Sequence, residues 1–246
     1  MKKLVLLLTL LILFISGIGW AQRNEITFAG SKVCTGVYIT TYAYGAGYSL
    51  GSSYFAPVTT MGLLNISRKS DPWHVPLCYT IPYKKSDYKN SGYDIGHFIP
   101  FKILSFCMDA IMESFSLGNA SPQQKQFNEE NSKWEGSEMR IIEVIKQLGD
   151  CSILCGVIYN KNTKTIGPDG LPVPDYYFKV CYFKSVGMVG IVGDNVTGVI
   201  RNATADEIEQ MYLDIMGLEV DLFSDLNPEE QAKLEAVNVP NVNIIH

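Results

Sequence analysis

The sequence predicts a single α+β domain, a central antiparallel sheet with helices packed on it, and three stretches carry that prediction. Two apolar runs, residues 151–159 and 176–184, suit buried strands and are joined by a turn-rich segment from Lys161 to Gly170. Between Gln126 and Leu148, the residues Ile141, Val144, Ile145 and Leu148 fall on one helical stripe, and Gly149 follows as a stop. Residues 37–44 alternate as a strand does, ahead of a glycine-rich loop. With 246 residues, 47% of them hydrophobic, the chain can bury a sizeable core, and no repeat or linker divides it.

Taken in order, residues 1–21 form a targeting segment: Lys2 and Lys3 precede an apolar run from Leu4 to Ile18, and Gly19-Trp20-Ala21 offers a small-x-small cleavage signal. The expectation is a signal peptide cleaved after Ala21 and an exported protein, periplasmic or extracellular. The alternative is an uncleaved membrane anchor. Export would place all six cysteines (Cys34, Cys78, Cys107, Cys151, Cys155, Cys181) in an oxidising compartment, where an even count predicts disulfides. On a strand, Cys151 and Cys155 would share a face ~13 Å apart, too far to pair, so Cys181 becomes a candidate partner for one of them.

Residues 22–60 supply an N-terminal strand and loop of the same domain. Residues 61–235 hold the rest of it, and 236–246 read as a loose tail. Within the main region, residues 101–114 predict a short helix with Met108, Ile111 and Met112 facing inward. Residues 188–200 predict a further strand. Thr204-Ala-Asp-Glu207 is a capping box opening a helix, and Asn227-Pro-Glu-Glu230 starts the last one.

Two polar segments interrupt this framework: Ser91-Gly-Tyr-Asp-Ile-Gly-His-Phe-Ile-Pro100 and Asn119-Ala-Ser-Pro-Gln-Gln-Lys-Gln-Phe-Asn128. Histidine is suited to take a proton from water near neutral pH. Asparagine offers a neutral carbonyl oxygen to a hard cation that keeps most of its own waters. A base, an amide ligand and little other charge suit phosphodiester cleavage. A net charge of −5 leans the other way, since nucleic-acid binders usually show a basic face. Arg68, Lys69, Lys84, Lys85 and Lys89 are the densest basic cluster.

Asp94-Ile-Gly-His97 resembles the Asp-Arg-Gly-His signature of the DNA/RNA non-specific endonucleases, the ββα-metal (His-Me finger) family. Asn119-Ala-Ser-Pro-Gln123, Asn128, Trp134 and Glu138 are similar to that family's next motifs, in the same order. The resemblance implies a ββα-metal nuclease fold and an enzyme cutting DNA and RNA without regard to sequence, leaving 5′-phosphorylated products. It implies His97 as general base, Asn128 as the ligand of one Mg²⁺ (Mn²⁺ or another divalent cation serving as well), and Glu138 acting through a metal-bound water. Asn119 would hold the loop or orient His97, and Asp94 would be an orienting carboxylate. Two departures stand out. Ile95 replaces the family's phosphate-binding arginine, leaving Arg68, Lys102 and Lys125 as substrate-binding candidates. Asn128 to Trp134 is two residues longer than usual, and ten residues of continuous helix would put Glu138 ~15 Å from Asn128. Either the extra residues bulge before the helix begins, or Glu130 or Glu135 takes the role. The rival expectation is a nuclease-like module that binds nucleic acid or a protein without cutting.

Overall fold

The computed structural model describes residues 26–28, 32–35, 39–43, 49–60, 72–76, 81–128, 133–184, 186–224, 226–239 and 242–245. The leader, Arg68 and Cys78 lie outside them. The two apolar runs form the middle of the main sheet. Cys151–Ile158 pairs antiparallel with Tyr176–Phe183 on one side and with Ser49–Ala56 on the other. The sheet continues through Gly187–Asp194 to Ile200–Asn202 at one edge, and through Thr40–Ala43 to Lys32–Thr35 at the other. Every residue from Cys151 to Ile158 is buried. A strand covered on both faces has no polar side to present, so its sequence runs apolar instead of alternating.

Side chains along Tyr176–Phe183 take the two faces in turn. The Phe178 ring meets Tyr212 edge-on at 5.9 Å, and the Tyr212 hydroxyl donates to the Val157 carbonyl at 2.7 Å. These contacts seat the helix Ala205–Met211 and its widened continuation Tyr212–Met216 on that face. The Thr204 capping box that starts this helix is made as expected, with both reciprocal bonds present. The opposite face, carrying Tyr177 and Lys179, receives the helix Lys133–Leu148 through Trp134.

That face also carries a smaller antiparallel pair, Tyr93–His97 with Ala120–Gln124. Polar bonds fix it to the sheet. The Tyr177 hydroxyl donates to the Ser121 carbonyl at 2.9 Å. Fully buried Asn195 accepts from the Gln124 amide and donates to the carbonyls of Pro122 and Pro174. Gly96 is required here by space alone: a Cβ on it would lie 2.2 Å from Oε1 of Gln123. Gly96→Ala is therefore expected to cost about 1–3 kcal/mol by overpacking, read as a lower denaturation midpoint.

Four expectations change. The long helix is two pieces, Lys125–Asn128 and Lys133–Leu148. Residues 101–106 are turns, and only Met108–Ser114 is helical. That short helix buries Ala110, Ile111 and Ser114, whereas Met108 and Met112 face solvent. The tail is not loose: Ile244 is fully buried, the Val239 amide donates to the Met188 carbonyl, and Asn238 accepts from the Gly190 amide at 2.8 Å. Finally, Cys151, Cys155 and Cys181 are free thiols. Cys181 stands opposite Ile153, between Cys151 and Cys155 on the neighbouring strand, and bonds covalently to neither. Burial pushes the Cys155 thiol up to about 12. Such thiols behave as small core hydrophobes.

Candidate active site

The motif residues meet because the small strand pair and the broken helix close on each other. His97 ends the strand Tyr93–His97, and Asn128 ends the short helix that follows the partner strand. An open cavity of about 430 Å³ lies between them, lined by His97, Asp94, Ile95, Asn128, Glu135 and Glu138, with Lys85, Lys102 and Trp73 among its other walls. The break before Lys133 resolves the spacing problem. A second helix axis lets Glu138 and Asn128 line one cavity, which a single straight helix would forbid.

The imidazole of His97 packs against two aromatic rings that also touch each other. Trp73 lies 4.5 Å away, centroid to centroid, and Phe115 meets it edge-on at 5.1 Å. Trp73 reaches this place because residues 72–76 run beside the 115–117 segment: the His74 amide donates to the Phe115 carbonyl, and the Leu117 amide to the His74 carbonyl. Contact with both rings restricts the imidazole to few orientations.

Asn119 does not line the cavity. It is fully buried, accepts from the Ile99 amide, and donates to the carbonyls of Ile99 and Ser114, all at 3.0 Å. These bonds clasp the loop that follows His97. Asp94 accepts from the side-chain amide of Asn128 at 3.1 Å. That bond commits the amide nitrogen and leaves the carbonyl oxygen to act as a ligand.

Charge in the cavity is arranged in pairs. Lys102 bridges Glu135 at 2.9 Å, and buried Lys179 bridges Glu138 at 3.1 Å. Lys179 also donates to the Phe98 carbonyl at 3.0 Å and sits 4.7 Å from the Trp134 ring centre. Burial raises the Glu138 carboxyl above its ordinary range, against the pull of Lys179. For Lys179, burial alone would lower the pKa; the nearby Cys155 and Glu138 outweigh it and hold the ammonium charged. Three carboxylates against two lysines on the lining give a site that suits a hard divalent cation better than a bare phosphate. The oxygen-rich donor set of Asn128, Glu135 and Glu138 fits such an ion.

Of the remaining candidates, Lys102 lines the cavity, while Lys125 is exposed and is not among its lining residues. Trp73, Lys85 and Lys179 belong to the site without having been singled out for it. Lys85 belongs to the basic cluster and Trp73 stands near it in sequence; Lys179 sits in an apolar strand, where a lone buried lysine is itself a signal.

Residues 67–242 match a family model described as DNA/RNA non-specific endonuclease. Among curated proteins, the chain is 32% identical over 116 residues to Nuclease 1, mitochondrial, of Schizosaccharomyces pombe, covering 42% of this chain and 35% of that protein. It is 32% identical over 122 residues to Nuclease EXOG, mitochondrial, of Mus musculus (46% and 32%). It is also 32% identical over 120 residues to Endonuclease G, mitochondrial, of Caenorhabditis elegans (43% and 38%). The matched stretch spans about a third of the length of these relatives. The crystal structure of an EndoG/EndoGI complex shares the fold, with a TM-score of 0.60 and 16% identity over 80% of this chain and 88% of that one. These relatives are mitochondrial by name, which overturns the expectation of an exported protein. A leader and an even cysteine count were its only support, and the free buried thiols withdraw the second. The fold is the α+β arrangement of the ββα-metal nucleases, and the chain belongs to the DNA/RNA non-specific endonuclease family.

Proposed function

We propose that the protein is a divalent-cation-dependent endonuclease that hydrolyses phosphodiester bonds of DNA and RNA without regard to sequence. One observation carries this: His97 and Asn128, thirty-one residues apart in sequence, face one cavity whose other charged groups are acids and lysines. His97 takes a proton from the attacking water, whose oxygen bonds to phosphorus as the bond to the 3′ oxygen breaks. The products carry a 5′ phosphate. A bound divalent cation, Mg²⁺ or Mn²⁺, supplies charge stabilisation for a phosphate oxygen and the departing oxygen. Asn128 would hold it, with Glu138 and Glu135 lining the same cavity. Lys85 and Lys102 provide positive charge to the substrate backbone where Ile95 cannot. Contacts to phosphate carry no sequence information, so base identity and sugar type are not read.

Supercoiled plasmid and single-stranded RNA, each incubated with the protein in Mg²⁺, test this. Both are expected to be degraded, and excess chelator is expected to stop degradation. Asn128→Ala is expected to raise the Mg²⁺ concentration for half-maximal rate by about 10–100-fold, the usual cost of disturbing a metal site. Intact substrates at high protein concentration, or cutting that continues in chelator, would overturn the reading in favour of a binding module.

A further inference from the structure

Away from the cavity, three acids converge on the opposite side of the main sheet. Asp206 and Glu209 stand one turn apart on the helix Ala205–Met211, and Glu235 ends the helix Pro228–Leu234. One oxygen from each lies within 4.8 Å of the others. No salt bridge among the described residues joins any of the three to a lysine or arginine. Asp221 adds a fourth negative charge beside Glu209 and Glu235.

Clustered surface acids alone would say little. Here, however, Glu235 is only 5% exposed, and its Oε1 is buried with no hydrogen-bond partner. A carboxylate oxygen taken out of water with nothing donating to it is costly unless a proton or a cation meets it. Glu209 is half satisfied: its Oε1 accepts from the Leu222 amide at 2.7 Å. Burial and the neighbouring acids push Glu235 up to about 8, and burial pushes Glu209 up to about 7. In both, burial is the larger cause and the neighbouring acids add to it.

We propose that Asp206, Glu209 and Glu235 bind a hard divalent cation of calcium size, separate from the cation of the cavity. The donors are all oxygen, which excludes soft metals by preference. Two ligands of one Ca²⁺ stand no more than ~4.6–5.2 Å apart at its usual bond lengths, and these oxygens lie within 4.8 Å of one another. Exposed Asp206 leaves room for the waters that complete a calcium shell, whereas Mg²⁺ demands a more regular octahedron. The two helix ends already touch, the Asp206 amide donating to the Glu235 carbonyl at 3.2 Å. A cation there fastens the C-terminal helix to the helix that covers the sheet. Its role is to hold that layer together, and it stands whether or not the cavity cuts nucleic acid.

Calcium titration by calorimetry and by thermal melting, on the full chain and on Glu235→Gln, tests the site without any activity readout. The wild type is expected to gain about 5 °C at saturating Ca²⁺. Glu235→Gln is expected to lose that gain and one equivalent of bound calcium while retaining cation binding in the cavity. In chelator, at a pH above the value of about 8 that burial gives Glu235, the order should invert: Glu235→Gln, relieved of a buried charge, melts above the wild type, which also shows that it folds. Asp206→Asn, at an exposed position, should weaken calcium binding without that inversion. Equal calcium shifts and stoichiometry in wild type and Glu235→Gln, or no shift in the wild type, would overturn the proposal.

Discussion

His97→Ala is expected to slow plasmid nicking by about 10²–10⁴-fold, the usual contribution of a positioned general base. The loss should fall on the turnover rate and leave the Mg²⁺ requirement unchanged, because on the proposed reading the cation is held by Asn128 and the carboxylates and not by His97. Added imidazole is expected to restore part of the rate, since removal of the ring leaves a space beside the touching rings of Trp73 and Phe115. A variant that cuts at the original rate would remove His97 from the chemistry. A variant with the same rate loss but a tenfold higher Mg²⁺ requirement would place it at the metal instead.

Lys179→Met is expected to lower stability by about 3–5 kcal/mol, the cost of leaving one member of a buried ion pair without its partner. Lys179 is 1% exposed and Glu138 16%, so neither can turn to solvent without dismantling the layer. The same substitution strands the Phe98 carbonyl and removes the ammonium from the Trp134 ring. Denaturant unfolding measures the loss. Combining Lys179→Met with Glu138→Leu is expected to recover much of it, because two apolar chains in that space carry no unpaired charge. Were the double variant as unstable as the single one, packing rather than charge would be the reason for the lysine.

The framework was legible where sequence distance is short or periodicity is plain. Residues 151–158 and 176–183 read as strands because they are apolar on both faces, and Thr204 read as a cap because its partner Glu207 lies three residues on. His97, Asn128 and Glu138 were found through motif spacing. What escaped depends on contacts that spacing does not encode. Trp73 reaches His97 only through the backbone pairing of residues 74 and 115–117. Glu138 finds Asn128 only because the helix is broken between them. Lys179 looked like one polar residue in an apolar strand, and its partner arrives from a helix forty-one residues earlier. The expectation that Cys181 pairs with Cys151 or Cys155 failed for a different reason. An even cysteine count follows from chance as readily as from pairing, and strand register puts Cys181 beside two thiols without bonding it to either.

The lysine at 179 has a mechanical meaning as well as an electrostatic one. Its single ammonium grips the carbonyl of Phe98, next to the base, and the carboxylate of Glu138, on the wall that would hold the cation. Both walls are thus pinned to one rigid strand of the sheet, like two jaws bolted to a common post. On the proposed reading, the gap between His97 and the wall that would hold the cation is set when the chain folds, before any substrate arrives.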